Sequence, residues 1–241
     1  MYKRQREDYG LLRIGASHFR MNNSIPHVLK AFHQRFPRVQ LELRETPSSQ
    51  AEALVEEAAL DLSLVLAGPS RPLLKAHRLL MDQVYVCVSD GLLREYYSAY
   101  EIAQLKRDMP YGLTLNRLSR LPYCVFSNRI GQQIQRCFEE SNVNPQIFLT
   151  STHIEICMEA CLEGLAACFS TQMSLAQQRK ALTEDINVFP LLCRDGFLSQ
   201  QLVVLHLKER YLPSYASYFL QLLLDYFSGI EKETLTHIAE S

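Results

Sequence analysis

Four short polar segments of this chain carry side chains that are suited to hold a small anion. They are Ser17–Arg20, Thr46–Ser48, Phe126–Arg129 and Thr150–His153. Each segment lies where a predicted strand gives way to a helix, so hydroxyl groups and free helix N-terminal amides come together there. Such groups suit a carboxylate or another oxyanion, and Arg20 or Arg129 can add a bidentate contact.

The candidate ligand-contacting residues come from these segments, together with one serine further along the chain. They are Ser17, His18, Phe19, Arg20, Thr46, Ser48, Ser127, Asn128, Ser151, Thr152 and Ser170. Serine, threonine and asparagine also cap helices very often, and this alternative stays open for each single residue. Ser17 and Thr152 are the strongest candidates. A bulky replacement of either is expected to remove the ligand response and leave thermal stability nearly unchanged.

The first part of the chain predicts the order strand, helix, strand, helix, strand. Residues 11–16 form a short apolar strand, and apolar residues from Ile25 to Phe36 then recur at three- and four-residue steps, as on one face of a helix. Residues 39–43 alternate apolar and polar side chains, as in a strand with one wet face. A third strand follows at 60–66. This order implies a parallel sheet with right-handed crossovers.

A second α/β pattern begins at Pro122. Its predicted elements are strands at 122–126, 147–149, 165–169 and 201–207, helices at 131–140 and 152–163, and a last helix opened by Pro213. Residues 91–109 predict one amphipathic helix, ended by Pro110, as an inserted peripheral element. Another strand is predicted at 84–88.

Composition excludes several classes of protein. A formal net charge of -1 argues against a sequence-independent grip on nucleic acid. No apolar signal segment and no apolar run of about 20 residues is visible, so neither export nor a membrane partner is expected. The seven cysteines are an odd number without framework spacing, which suits a reducing compartment. We therefore expect a cytoplasmic protein.

No enzyme signature is found, and we predict no catalytic residue, no cofactor and no metal. The sequence contains no Gly-x-Ser-x-Gly elbow, no phosphate-binding Gly-rich loop and no His-Glu-x-x-His motif. His153, Cys157 and Cys161 follow helical spacing, but eight residues of helix span about 12 Å, too far to share one ion. Core packing is predicted for both cysteines. The solvated neighbours of His33, His77 and His237 predict surface positions.

The order of several motifs resembles the effector-binding half of LysR-type transcriptional regulators. The matching residues are Gly10, Gly15, Ile25-Pro26, Phe36-Pro37, Asp61-Leu62, Leu118 to Pro122 and Glu159 to Ser170. The match is best over residues 9–90 and weaker over 113–230. Ala166 stands where the family usually has a second glycine, and Ser170 where it usually has a proline. The insertion at 91–112 is longer than typical.

The resemblance implies an α/β fold with two Rossmann-like lobes joined by two crossing strands, like the type 2 periplasmic binding proteins. Lobe one would comprise residues 10–88 and 207–230, and lobe two residues 89–206, with crossings near Val88 and His206. Residues 1–9 would be a linker remnant. A small-molecule effector would bind between the lobes, and DNA would be contacted only through a missing N-terminal domain.

The resemblance also implies a head-to-tail homodimer, which forms a tetramer in an intact regulator. The expected contact surfaces are exposed residues around His27–Arg35 and Gln132–Glu140. Three alternatives stay open: a stand-alone solute-binding protein, a small-molecule enzyme on the same fold, and a redox-sensing regulator like the family's peroxide-sensing branch. Cys168 and Cys193 are candidate partners for the redox alternative.

Overall fold

The computed structural model describes residues 9–178 and 182–239 of the 241-residue chain. The linker remnant expected at residues 1–9 lies outside the described residues except for Tyr9, which begins the first strand. No helix among the described residues has the length and apolar character needed to cross a bilayer.

The helices and strands alternate along most of the chain. The first are β1 (Tyr9–Ala16), α1 (His18–Asn23), α2 (Ile25–Arg35), β2 (Arg38–Glu45), α3 (Ser48–Glu56), β3 (Leu62–Leu66) and β4 (Leu74–Ser89). The next are α4 (Asp90–Tyr96), α5 (Ala99–Asp108), β5 (Pro122–Phe126), α6 (Arg129–Glu140), β6 (Gln146–Ser151), α7 (Ile154–Leu162), β7 (Ala167–Thr171) and α8 (Gln172–Gln178). The last are β8 (Ile186–Pro190), β9 (Leu192–Cys193), β10 (Gly196–Phe197), β11 (Ser199–Leu207) and α9 (Ser214–Ala239).

The chain divides into two compact units. Unit 1 contains the chain up to Met81 and again from Gln201 onward, and unit 2 contains Asp82–Gln200. The chain passes from one unit to the other within β4 and within β11, earlier than the expected positions near Val88 and His206. The shift at β4 arises because this strand begins at Leu74, where its mostly exposed first residues hide the apolar pattern of a strand.

The sheet of unit 1 has the strand order β2-β1-β3-β11. β1 pairs in parallel with β2 from Tyr9 opposite Arg38 onward, and with β3, which confirms the predicted parallel arrangement. β11 joins β3 in the antiparallel direction. Phe32 of α2 and Phe219 of α9 meet edge to face at 5.2 Å in the core that covers this sheet.

The sheet of unit 2 is mixed. β5 pairs in parallel with β6 and β7, and the second half of β4 pairs antiparallel with β7 and β8. Tyr123, Phe138 and Phe169 form its aromatic core, with ring centroids 5.1 to 5.9 Å apart. No pattern in the sequence predicted β8.

The single helix predicted at 91–109 is wrong, because the structure has two helices there. α4 ends at Tyr96, and α5 begins after Ser98, whose hydroxyl accepts from the Glu101 N–H while the Glu101 carboxylate accepts from the Ser98 N–H. This capping box starts a new helix inside an otherwise continuous amphipathic pattern. Pro110 lies within a 3-10 turn at Met109–Tyr111.

Candidate functional site

The end of β1 packs directly against β3. A Cβ atom at Gly15 would lie 2.5 Å from Leu60 Cδ1 and 2.8 Å from Ser63 Oγ, so any larger residue would collide there. The Ser63 hydroxyl donates to the Gly15 carbonyl at 3.0 Å. This close approach fixes the point at which the chain turns into the segment Ser17–Arg20.

Arg20 places a buried guanidinium at the end of β1. The side chain is only 7% exposed, and its Nη1 donates to Ser17 Oγ at 2.9 Å. Ser17 occupies the position before α1, but its hydroxyl does not cap the helix. The Ser17 hydroxyl oxygen therefore accepts from the Arg20 guanidinium and orients it. The hydroxyl proton can still be donated to another acceptor, such as a ligand oxygen.

Thr46 brings the end of β2 to the end of β1. Its N–H donates to the Ala16 carbonyl at 2.9 Å. The side chain is 4% exposed, and Oγ1 has no hydrogen-bond partner in the described part of the protein. An unsatisfied buried hydroxyl costs about 1–3 kcal/mol, so this position favours a ligand atom that would satisfy it.

The start of α3 lies beside Thr46. Ser48 Oγ accepts from the Leu66 N–H at 3.2 Å, which links the helix to the end of β3 and gives this serine a structural role. Pro47 precedes the helix without a side-chain cap, and the first turn carries no acidic side chain. The positive end of the helix dipole is therefore not neutralised by its own sequence.

His18 and Phe19 have different surroundings. The exposed His18 ring contacts Glu45 Oε2 through Nδ1 at 3.1 Å and Asn22 through Nε2 at 3.0 Å. Phe19 is half-buried, and its carbonyl accepts from Asn23 Nδ2 at 2.9 Å. Unit 1 thus brings Ser17, Arg20 and Thr46 to one set of strand ends, with His18 held at the surface.

In unit 2, the loops after β5 and β6 are joined by their backbones. The Ser127 N–H donates to the Ser151 carbonyl at 3.1 Å. Asn128 Oδ1 caps α6 by accepting from the Gly131 N–H at 3.1 Å. Ser151 Oγ accepts from the His153 N–H at 3.0 Å, and Thr152 is exposed. Asn128 and Ser151 therefore have structural partners, whereas Ser127 and Thr152 stay predictions.

Ser170 lies in β7, which runs two residues further than predicted. Its buried Oγ has no hydrogen-bond partner within the described residues, and the same holds for Ser174 Oγ. Thr171 Oγ1 accepts from the Ser174 N–H at 3.3 Å, and Asp82 Oδ1 accepts from the Met173 N–H at 2.9 Å. The sequence pattern predicted Ser170 as a candidate but not Thr171, Ser174 or α8. The Ser-Thr pair directly after an apolar run was the available signal.

Comparison with known proteins identifies the family and the fold to which these strand ends belong. A family model described as the LysR substrate binding domain matches residues 5–228. The chain belongs to this family. A comparison with curated proteins finds no match.

Solved structures show the fold of this LysR substrate binding domain. The cofactor-binding domain of the Cbl transcriptional regulator is 19% identical, with a TM-score of 0.70 over 94% of each chain. The BenM effector binding domain with its effector benzoate is 13% identical, with a TM-score of 0.68 over 91% of this chain and 93% of that one. The effector binding domain of QuiR in complex with shikimate is 14% identical, with a TM-score of 0.68 over 92% of this chain and 98% of that one.

These likenesses confirm the predicted fold, which is mixed α/β and like the type 2 periplasmic binding proteins. The family and its solved members are effector-binding domains of transcriptional regulators, and no enzyme is among the structures described above. The family assignment supports an effector-sensing regulatory domain.

One histidine of the LysR substrate binding domain does not have its predicted surroundings. His77 is half-buried in unit 1, and its Nε2 lies 3.0 Å from His206 Nε2. Burial first, then the charges of His206 and Lys75, lower the pKa of His77 from its usual 6.5. His33 is exposed as predicted, and the side chain of His237 lies outside the described part of the chain.

The cysteines partly follow the predictions. Cys157 and Cys161 are buried, which confirms core packing. The described residues include no group of three or more histidine, cysteine or acidic side chains placed to hold a metal ion. Pairing of Cys168 with Cys193 is wrong, since Cys193 forms a disulfide with Cys137. Cys168 lies instead within hydrogen-bond contact of Cys161 and Cys87.

Proposed function

We propose that this LysR substrate binding domain senses a small anionic metabolite at its polar strand ends and regulates transcription in response. The observation that carries this proposal is the buried Arg20 guanidinium, which is held 2.9 Å from Ser17 Oγ. A buried cation beside a hydroxyl suits a carboxylate, because charge-assisted hydrogen bonds are about twice as strong as neutral ones.

Two neighbouring features of unit 1 support an anionic ligand. Thr46 Oγ1 is buried without a partner in the described protein, and it can donate to an anion oxygen. The start of α3 has no side-chain cap and no acid in its first turn. Its free N–H groups and dipole favour negative charge.

The ligands in the solved structures of two similar domains are also anions. Benzoate in the BenM domain and shikimate in the QuiR domain are both carboxylates. We propose that the present domain also binds a carboxylate. The proposal does not single out benzoate or shikimate.

The proposal is tested by calorimetric titration of a panel of carboxylates that includes benzoate and shikimate, each beside its neutral amide. At least one carboxylate is expected to bind at least tenfold more tightly than its amide. Arg20→Gln should weaken that binding by at least tenfold, since hydrogen bonds to charged groups contribute about 1.5–3 kcal/mol.

Arg44→Gln is the matched control, because Arg44 is exposed near the end of β2 in the same unit. It should leave binding unchanged. Equal affinity for acids and amides, or an unchanged affinity in Arg20→Gln, would contradict an anion site at Arg20. Chromatography of the recovered ligand separates binding from catalysis, since a sensor returns the ligand unaltered.

Regulation follows from a shift between conformational states, and a ligand shifts them only by its differential affinity. We assign operator DNA to a domain other than this one, because a net charge of -1 argues against a sequence-independent grip on phosphates. We further propose a homodimer in which α2 of one copy faces α6 of the other, as the family resemblance implies.

A further inference from the structure

All seven cysteines of the chain lie in unit 2, and one pair is chemically distinct from the rest. Cys137 of α6 and Cys193 of β9 form a disulfide, with Cα atoms 5.7 Å apart. The bond closes a sequence separation of 56 residues. It was not expected from the scattered cysteine spacing.

The other five cysteines are buried thiols. The hydrogen bond with Cys124, followed by burial, raises the pKa of Cys157. Hydrogen bonds with Cys161 and then Cys87, followed by burial, raise the pKa of Cys168 well above its usual value. All five thiols are buried, so a reagent in solution does not reach them, and they serve as unreactive references.

Cys193 is the accessible member of the bonded pair. It is half-buried on a short hairpin in which it lies opposite Gly196, whereas Cys137 is 4% exposed. Arg136 directly precedes Cys137, and Arg194 directly follows Cys193. A reagent from solution therefore reaches the Cys193 sulfur first.

We propose that Cys137 and Cys193 form a reversible thiol–disulfide site whose co-substrate is a low-molecular-weight disulfide of the glutathione type. The Cys193 thiolate attacks one sulfur of the reagent, which breaks the reagent's S–S bond and releases one small thiolate. The Cys137 thiolate then attacks the Cys193 sulfur of the mixed disulfide and releases the second. Two protein thiols are oxidised, two electrons reduce the reagent, and the two protons end on the released thiols.

The bond links α6 to the hairpin of β9 and β10 within unit 2. Without it, the hairpin keeps the hydrogen bond from the Leu192 N–H to the Leu113 carbonyl at 2.9 Å. It also keeps the Phe197 ring against Gly112, where a Cβ atom would lie 2.5 Å from Phe197 Cε1. Reduction is therefore expected to loosen the hairpin and the last turns of α6 without unfolding unit 2. This inference is independent of the proposed effector site.

Native alkylation with N-ethylmaleimide, mapped by peptide mass spectrometry, tests the site in the full chain. After native treatment with dithiothreitol, Cys193 should be alkylated at least tenfold faster than any of the five buried thiols. In a reduced sample that has not been alkylated, oxidised glutathione should restore the peptide linked through Cys137 and Cys193. Hydrogen exchange at residues 192–197 should rise at least tenfold on reduction.

Variants make the outcome decisive. Cys137→Ser should stop at a mixed disulfide on Cys193, and Cys157→Ser, the matched buried control, should behave as the unaltered chain. If Cys137→Ser does not fold, Cys193→Ser should leave Cys137 unreactive under native conditions. Three results would each overturn the proposal: no linked peptide after oxidised glutathione, a linked peptide that resists native reduction, or Cys193 reactivity equal to that of the buried thiols.

Discussion

Thr46 gives the most direct test of ligand contact at the level of a single residue. Thr46→Val removes the hydroxyl and nearly keeps the shape of the side chain. Because Oγ1 has no partner in the described protein, its loss should leave the free energy of unfolding unchanged or raise it by up to about 1 kcal/mol. Affinity for the best carboxylate should fall by about tenfold. Urea unfolding and calorimetric titration measure the two effects.

Ser49→Ala is the control for Thr46, since Ser49 is exposed in the first turn of α3. It should change neither stability nor affinity. A Thr46→Val protein that loses more than about 1 kcal/mol of stability and keeps its affinity would identify the hydroxyl as structural.

The pair His77 and His206 predicts a pH dependence of stability. His206 Nδ1 lies 2.8 Å from the Leu207 carbonyl, so Nδ1 is the donor there and Nε2 accepts from His77 Nε2. The lowered pKa of His77 means that the unfolded chain binds its proton more readily than the folded chain. The stabilisation is therefore fully present above pH 6.5, the unfolded value, and is lost as pH falls through the lower folded value.

His77→Gln keeps a donor for His206 and removes the titration at this position. Urea midpoints at pH 7.5 and at pH 5 should differ less in this variant than in the unaltered chain. His33→Gln, at an exposed position on α2, should keep the original difference. An undiminished pH dependence in His77→Gln would mean that other groups account for it.

Sequence could select the residue types of the candidate site but not their partners. Ser48, Asn128 and Ser151 were chosen for their hydroxyl or amide groups, and the structure gives each of them a backbone donor. Thr46 looks the same in sequence and has no such partner. Asn128 and Ser151 accept from N–H groups three and two residues ahead, as caps and turns do, whereas Ser48 accepts from the distant end of β3, which local pattern does not show.

At the level of helices and strands, the spacing of apolar residues predicted the elements whose formation depends on burying an apolar face. β1, α2 and β3 follow from apolar spacing, because each buries one face or both. β2 follows from its alternation, although Val39 is the one apolar residue of this strand that is buried. The first half of β4 was missed since half of its residues are exposed and break the apolar spacing of a strand. The break between α4 and α5 was missed because a capping box interrupts the helix without changing its amphipathic pattern.

The first turn of α6 depends on a glycine. A Cβ atom at Gly131 would lie 1.7 Å from the Phe126 carbonyl oxygen, so α6 could not start this close to the end of β5. Gly131→Ala should lower the free energy of unfolding by about 3 kcal/mol, as overpacking against backbone does. Urea unfolding followed by circular dichroism gives the value.

Gly91→Ala is the matched glycine substitution, in the first turn of α4. Its Cβ atom would meet only Ser89 Oγ, at 3.8 Å. Alanine is the better helix former, so this variant should keep or gain stability, by up to about 1 kcal/mol. Equal effects of the two substitutions would contradict the close approach of α6 to β5.

For the whole molecule, sequence predicted two α/β units, one of them built from two separate segments, and the structure divides in that way. It could not place the boundaries, since they fall inside β4 and β11, where both sides of the boundary are equally strand-like. Exposed apolar residues on an edge strand also affect whether copies of the chain associate.

β6 follows α6 in the chain and is an edge strand, and we extend the proposed dimer surface on α6 to include it. It is the last strand in its sheet, and its residues Ile147 and Phe148 are 45% and 53% exposed. An exposed apolar edge favours association with another chain, and closed dimers of identical copies are the commonest outcome. Phe148→Asp places a charge on this surface and should weaken dimerisation at least tenfold in sedimentation velocity.

Tyr100→Asp is the control for Phe148→Asp. Tyr100 is 71% exposed on α5 of the same unit, outside the proposed surface, so a charge there should leave the dimer intact. Circular dichroism of both variants should match that of the unaltered chain, because neither side chain is buried. A monomeric unaltered chain, or equal sensitivity to the two substitutions, would show that β6 and α6 do not form the contact between copies.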